Sequence, residues 1–331
     1  MTKLYKAGIL GTGSCLPERK LTNIELESIV ETSDEWIMKR TGIRERRIID
    51  DDLPLAKLAT RAAENAIHDA GIAKEEIELI IVATLTPDYL TPNLACCVQK
   101  ELQLSGVPAF DMNAACTGFV YALNVAQQFI ENGVCRYILV VAAEALSRVT
   151  DYQDRKTCVL FGDGAGATVV GRVEDTAGII CCTTGAYGEL GHNLTVPCLY
   201  STEEDREKRN EGKKQVVWMD GSEVFTFAAR IMAEATLRVV SDAQLSVADL
   251  DHIFPHQANA RILKNAVKRL GYPIEKVYSN LEHTGNISAA SIPVCLDEAS
   301  KAGILKKGDK IVLVAFGGGL TYGAMLLQWS K

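Results

Sequence analysis

"HDAGIAKEEIELII", residues 68–81, carries the end of an amphipathic helix into a short apolar run, and it returns 173 positions later as "SDAQLSVADLDHIF", residues 241–254. Aligned, Asp69 meets Asp242, Ile72 meets Leu245, Ile77 meets Leu250 and Glu78 meets Asp251. Upstream of the first copy, Leu58, Ala62, Ala66 and Ala70 mark one face of a helix. Its continuation "IELIIVAT" (77–84) is a short apolar run fit for a strand covered on both faces. A second pair, "FGDGAGATVV" (161–170) and "FGGGLTYGAMLL" (316–327), follows in the same order. Two echoes in one order imply a duplicated α/β unit.

The same alternation runs outward from there. "VPAFDM" reads as a strand before the helix "TGFVYALNVAQQFIEN", which Gly133 stops, and "RYILVVAAE" (136–144) and "GIICCTTGAYG" (178–188) read as further strands. A boundary near residue 175 gives halves 1–175 and 176–331. Within the second, "YSTEEDREKRNEGKKQ" (200–215) is dense in charge and reads as a solvated loop.

Composition narrows the function classes. The chain has 331 residues with 47% hydrophobic and 23% charged content, an ordinary globular balance that excludes disorder. A net charge of -7 supplies no positive field for nucleic acid. No apolar stretch approaches the ~18 residues of a membrane span, and the apolar run in "MTKLYKAGILGTG" is too short for a signal-peptide core, so a soluble, cytoplasmic protein with no membrane contact is expected. Ten cysteines include the adjacent pairs Cys96–Cys97 and Cys181–Cys182 but no C-x-x-C, and the five histidines form no helical pair, so no metal is expected.

"AFDMNAACTGFVYAL" (109–123) sets Cys116 after a strand and at the opening of a helix, where unpaired N–H groups and the helix dipole are expected to favour thiolate. Ala114, Ala115 and Gly118 leave its approach uncrowded. In "IFPHQANARI" (253–262) His256 ends a strand-like run, where α/β proteins gather their sites. His68, His192 and His283 lie in settings that favour solvated roles. "EHTGNISAASIP" puts Asn286 after Gly285, and "LVAFGGGLTYG" ends a strand in Gly317–Gly319, able to bring a backbone N–H close to a ligand. "GTGSC" (11–15) and "GDGAG" (162–166) are weak dinucleotide signals without the full fingerprint. "TSDEW" looks like a capping box, Thr32 with Glu35.

Taken together, "DMNAACTGF", "PHQANARI", "HTGNISAASIP", "AFGGGLTYG", "TSDEWIMKRTGIRER" and "FGDGAGA" span nearly the whole chain in order. The chain resembles the β-ketoacyl-acyl-carrier-protein synthase III family, the initiating condensing enzymes of the thiolase superfamily. The resemblance implies a five-layered αβαβα fold from two duplicated halves, a homodimer, and no cofactor beyond coenzyme A thioester as substrate. It implies decarboxylative condensation of an acyl-CoA primer with malonyl-acyl carrier protein. Cys116 would be the nucleophile, His256 and Asn286 its partners, and the backbone N–H groups of Cys116 and Gly318 the oxyanion hole. Thr32, Trp36, Arg40, Arg155, Gly221 and Asn259 would bind coenzyme A, with Trp36 and Arg155 sandwiching the adenine. Gln257, Ala258, Asn259, Ala260, Arg261, Lys268 and Arg269 would meet the carrier, and Thr91 would complete the partner subunit's acyl pocket. Thr226 departs from the pattern, standing where a docking lysine is expected. A related condensing or starter-loading enzyme of secondary metabolism, a Cys-His-Asn hydrolase and an inert carrier-binding protein remain the alternatives.

Overall fold

The computed structural model describes residues 5–209 and 215–331. Its main strands are β1 (Lys6–Cys15), β2 (Leu79–Ala83), β3 (Ala109–Met112), β4 (Tyr137–Ala145) and β5 (Asp163–Val173), then β6 (Gly178–Ala186), β7 (His252–Pro255), β8 (Lys310–Gly317) and β9 (Thr321–Gln328). The main helices are α1 (Asp34–Thr41), α2 (Leu55–Ala70), α3 (Leu94–Glu101), α4 (Gly118–Glu131), α5 (Gly221–Asp242), α6 (Ala260–Leu270) and α7 (Ser291–Lys301).

The first echo is in register. The short 3-10 turn Lys74–Glu76 and strand β2 reappear 173 residues on as Val247–Asp249 and β7. The sheets repeat as well. The first runs β1-β5-β4-β2-β3 and the second β6-β9-β8-β7, each antiparallel through its first three strands and parallel beyond them. Where the first sheet adds β3 beyond β2, the second has one parallel bridge, Ile253 to Val277.

Five layers result. Helices α2 and α3 cover the outer face of the first sheet through Leu58, Ala62, Ala66 and Val98. Helices α4 and α7 lie between the sheets, and their Phe119, Leu123, Ile292 and Leu296 are wholly buried against Ile81, Val140, Leu313 and Met325. Each such side chain contributes roughly 1.5–3 kcal/mol by leaving water. Helices α5 and α6 close the far side through Phe227, Ile231, Ile262 and Ala266. The "GTG" of β1 is a packing device and no nucleotide loop: a Cβ on Gly11 or Gly13 would stand 2.3 Å from the carbonyls of Ala66 or Ala62 in α2.

The charged segment, expected as a solvated loop, contains a short helix. Thr202 and Asp205 form a reciprocal cap on the short helix Glu203–Glu207, and Arg209 is buried, donating to the carbonyls of Val216 and Thr195. The remaining stretch, 210–214, lies outside the described residues.

Candidate active site

The central layer puts the chemistry at the junction of both halves. Cys116 sits in a 3-10 turn, Ala115–Thr117, between β3 and α4, with Ala115 in the left-handed region at φ 46°. Facing it, Ser288 also adopts φ 49°, in the 3-10 turn Ser288–Ala290 before α7. Non-glycine residues hold such backbones at a cost of roughly 1–2 kcal/mol each, and they persist where the surroundings impose them.

Ser288 joins the three residues singled out from sequence. Its 3-10 turn packs against that of Cys116, and its hydroxyl donates to Glu144 Oε1 at 3.0 Å. Its N–H donates to Asn286 Oδ1 at 2.9 Å, which orients the amide with Nδ2 as its donor end. Its carbonyl accepts from the Ser291 hydroxyl at 2.8 Å, and that hydroxyl also sits 2.8 Å from His256 Nδ1. Asn286 is itself locked by backbone bonds, its N–H to the Leu160 carbonyl at 2.8 Å and its carbonyl from Gly162 N–H at 3.0 Å.

Burial governs the electrostatics. It pushes the Cys116 thiol up to about 12, with the Glu144 charge adding to the rise and the Ser288 hydroxyl opposing it. The thiolate expected from the helix N-terminus is therefore not the resting state, because desolvation outweighs the dipole. Burial also drives His256 down to about 3, so its ring is neutral, and its Nε2 has no partner among the described residues. The Ser291 hydroxyl has one proton. Given to the Ser288 carbonyl, it leaves Nδ1–H as donor to Ser291; given to Nδ1, it leaves Nε2–H pointing into the site.

The glycine turn after β8 closes over the cysteine. A Cβ on Gly317 would stand 2.7 Å from Cys116 N, and one on Gly318 would stand 3.6 Å from the Ala115 Cβ.

The other expected residues fall in two groups. Around Trp36 in α1, the guanidinium of Arg155 lies 5.0 Å and that of Arg40 5.7 Å from the indole centroid. Arg155 thus covers the face an adenine would need, and a sandwich requires it to swing away. The cap of α1 is Ser33, which accepts from Trp36 N–H at 3.2 Å, rather than Thr32. Thr32 Oγ1 is instead buried without a partner among the described residues. Asn259 caps α6 by accepting from Arg261 N–H and donates to the Arg40 carbonyl at 3.1 Å, while Gly221 is exposed at the start of α5.

On α6, Arg261, Lys268 and Arg269 are exposed, Arg261 lying over the Phe225 ring at 5.6 Å beside exposed Thr226. Gln257 and Ala258 are buried, and Gln257 spends its amide on the Pro255 and Tyr278 carbonyls, so their side chains do not belong to a docking surface. Ala260 is half-buried at the helix start. Thr91 stays outside its own chain's site, in an exposed loop with Tyr89 and Leu90.

Sequence reasoning missed Glu144, Ser288 and Ser291. A signal existed for the first: Glu144 interrupts an otherwise apolar strand run and is wholly buried.

Comparison with known proteins agrees with this geometry. Residues 110–188 match the model of 3-oxoacyl-[acyl-carrier-protein] synthase III, and residues 240–329 match its C-terminal model. A β-ketoacyl-[acyl-carrier-protein] synthase III of Caldanaerobacter subterraneus is 49% identical over 331 residues, covering 100% of both chains. The crystal structure of the Aquifex aeolicus synthase III superposes with a TM-score of 0.91 at 45% identity, over 98% of this chain and 100% of that one. A priming β-ketosynthase of a polyketide pathway superposes at 0.92 with 35% identity, over 100% of this chain and 98% of that one. With the duplicated five-layer fold and a cysteine, histidine and asparagine gathered on one serine, the chain belongs to the 3-oxoacyl-[acyl-carrier-protein] synthase III family of thiolase-fold condensing acyltransferases.

Proposed function

We propose that the protein condenses an acyl-CoA primer with malonyl-acyl carrier protein, giving 3-ketoacyl-carrier protein, coenzyme A and CO₂, and so initiates fatty acid synthesis. The observation that carries the reading is the gathering of the three residues around Ser288, which binds Asn286 directly and His256 through Ser291 and whose turn packs against that of Cys116. Cys116 sulfur attacks the thioester carbonyl, coenzyme A leaves, and an acyl-cysteine forms. The oxyanion is met by Cys116 N–H and Gly318 N–H, each such donor being worth ~10²–10³ in rate. The carrier-bound malonyl group then loses CO₂. Its enolate oxygen is held by Asn286 Nδ2–H and by His256 Nε2–H, in the tautomer where Nδ1 accepts a hydrogen bond from the Ser291 hydroxyl. A neutral histidine suits this role, since an imidazolium would quench the carbanion. The enolate carbon attacks the acyl-cysteine, the C–S bond breaks, and Cys116 is released.

Thr32, Trp36, Arg40, Arg155, Gly221 and Asn259 form the coenzyme A path; the unpartnered Thr32 hydroxyl supports this. Arg261, Lys268 and Arg269 receive the acidic carrier. A second copy of the chain covers the exposed Tyr89–Leu90 loop and receives Thr91 at its acyl pocket, making the enzyme a homodimer. The two units divide near residue 175, between Val173 of β5 and Gly178 of β6. No cofactor is needed, and among the described residues no helix is long and apolar enough to cross a membrane, which agrees with a cytoplasmic enzyme. The curated relatives at 47–49% identity carry the synthase III name, while the polyketide priming enzyme stands at 35%, which favours the fatty acid primer over a secondary-metabolic one.

Labelled acetyl-CoA and malonyl-carrier incubated with the protein test the reading. Label in a four-carbon 3-ketoacyl-carrier supports it. Label released as free acetate, with no carbon–carbon bond, would identify a hydrolase.

A further inference from the structure

Glu144 ends β4 inside the protein, wholly buried and unused by the reaction as described. Its two oxygens are not equivalent. Oε2 accepts from Thr86 Oγ1 at 2.7 Å, Leu85 N–H at 3.2 Å and Thr84 Oγ1 at 3.4 Å, so it is saturated with donors. Oε1 faces Ser288 Oγ alone among the described partners, at 3.0 Å. The turn that carries Ser288 packs against the turn that carries Cys116, and the Ser288 hydroxyl opposes the rise of the Cys116 thiol. The hydroxyl is thus bonded to the carboxylate oxygen, on a turn packed against that of the thiol.

We propose that Glu144 takes the Cys116 proton through Ser288 when the cysteine attacks acyl-CoA. The Cys116 S–H bond breaks and its proton passes to Ser288 Oγ, whose own proton passes to Glu144 Oε1. Thiol and carboxylate become thiolate and carboxylic acid, with no change in total charge. The Ser288 hydroxyl then points at sulfur, as a thiolate requires, and protonated Glu144 donates to Ser288. Coenzyme A leaves as thiolate and takes its proton from solvent. When condensation releases the Cys116 thiolate, the proton returns along the same path.

Of the two buried bases, the carboxylate is the better acceptor. Burial raises Glu144 to about 7 and lowers His256 to about 3. The groups facing the Glu144 carboxylate, Thr84, Thr86 and Ser288, are uncharged, and Cys116 is the ionisable group that feels its charge. On the adjacent strand Asp163 is turned onto Ser147 and Ile49 N–H, and His256 is neutral. Glu144 is thus a positioning and proton-accepting residue acting through Ser288. The inference rests on Cys116 being the acylated nucleophile.

The test times Cys116 acylation by acetyl-CoA, using quenched-flow intact mass spectrometry between pH 6 and 9, and separately follows CO₂ release from malonyl-carrier. Glu144→Gln keeps the shape and a donor to Ser288 but no base. Acylation by the wild type should rise through about pH 7 as Glu144 ionises. In E144Q it should be at least about 10-fold slower, without that rise, with CO₂ release within about twofold; Glu144→Asp should recover the pH dependence. Wild-type acylation by E144Q, or equal loss of both half-reactions in E144Q and E144D, would overturn the relay. Should E144Q fail to fold, Ser288→Ala carries the test, since the Asn286 contact uses its backbone N–H: slowed acylation supports the relay and an unchanged rate overturns it. A wild-type enzyme that takes no acyl group on Cys116 would overturn the proposed function and the relay together.

Discussion

Gly317→Ala presses on the cysteine turn without replacing any side chain of the site. The added methyl would stand 2.7 Å from Cys116 N and 3.2 Å from both Cys116 Cβ and Thr117 N, where ordinary contact begins near 3.4 Å. Moving from 2.7 to 3.4 Å requires the cysteine turn to retreat by about 0.7 Å. An oxyanion donor at ~2.9 Å would then lie beyond about 3.5 Å, outside hydrogen-bonding range. Loss of one donor predicts acylation slower by ~10²–10³. The overpacking itself costs about 1–3 kcal/mol. With an unfolding entropy of ~2 cal per mol per kelvin per residue, the middle of that range lowers Tm by about 3 °C. Gly188→Ala is the control, because a Cβ there meets nothing within 4 Å. Acylation is read by quenched-flow mass spectrometry and Tm by calorimetry. A G317A enzyme that acylates within about threefold of wild type would refute the placement of the Cys116 N–H at the oxyanion.

Two further predictions concern the carrier surface and pH. Changing Arg261 and Arg269 together to Glu should raise KM for malonyl-carrier and weaken its salt dependence while leaving acylation by acyl-CoA near normal, because both are exposed cations on α6; equal loss in both half-reactions, by steady-state kinetics at two ionic strengths, would count against docking there. His256 is held near 3 in the fold against about 6.5 unfolded, so the unfolded chain binds the extra proton between those values and stability falls as pH drops through that window. The His256 contribution to that loss between pH 7 and 5 should be about 2 kcal/mol, read as the difference between wild type and variant because Glu144, raised to about 7, gains stability over the same window. His256→Gln should lack it, as read from urea midpoints, and identical losses in both proteins would mean His256 is not buried neutral.

Much of this architecture was legible in the sequence because its signals are local. The echo at 68–81 and 241–254 corresponds element for element to a 3-10 turn and a parallel strand, since periodicity and apolar runs report directly on how a segment is covered. Cys116, His256 and Asn286 stood out as polar or reactive residues at element ends. What stayed hidden depends on tertiary burial. Thr32 and Ser33 are both good caps, and which one caps α1 is settled by where the chain enters the helix. Gln257 and Ala258 share a motif with exposed Arg261, and only the packing of β7 against β8 puts them inside. The helix N-terminus argues for a thiolate, but burial argues more strongly against it, and burial is not a property of the residues around Cys116 in sequence. Ser288 reads as one small residue among several until its left-handed backbone aims it at the cysteine.

The division of labour within the site is the central claim, and His256→Ala and Asn286→Ala measure it. Each variant is assayed twice, for acyl adduct on Cys116 after mixing with acetyl-CoA and for CO₂ released from malonyl-carrier. Each lost enolate donor should slow CO₂ release by ~10²–10³, or roughly 3–4 kcal/mol in that step, with acylation changed far less. If His256→Ala instead abolished acylation while decarboxylation survived, His256 would be the base that activates Cys116, and the assignment of enolate stabilisation to it would be wrong.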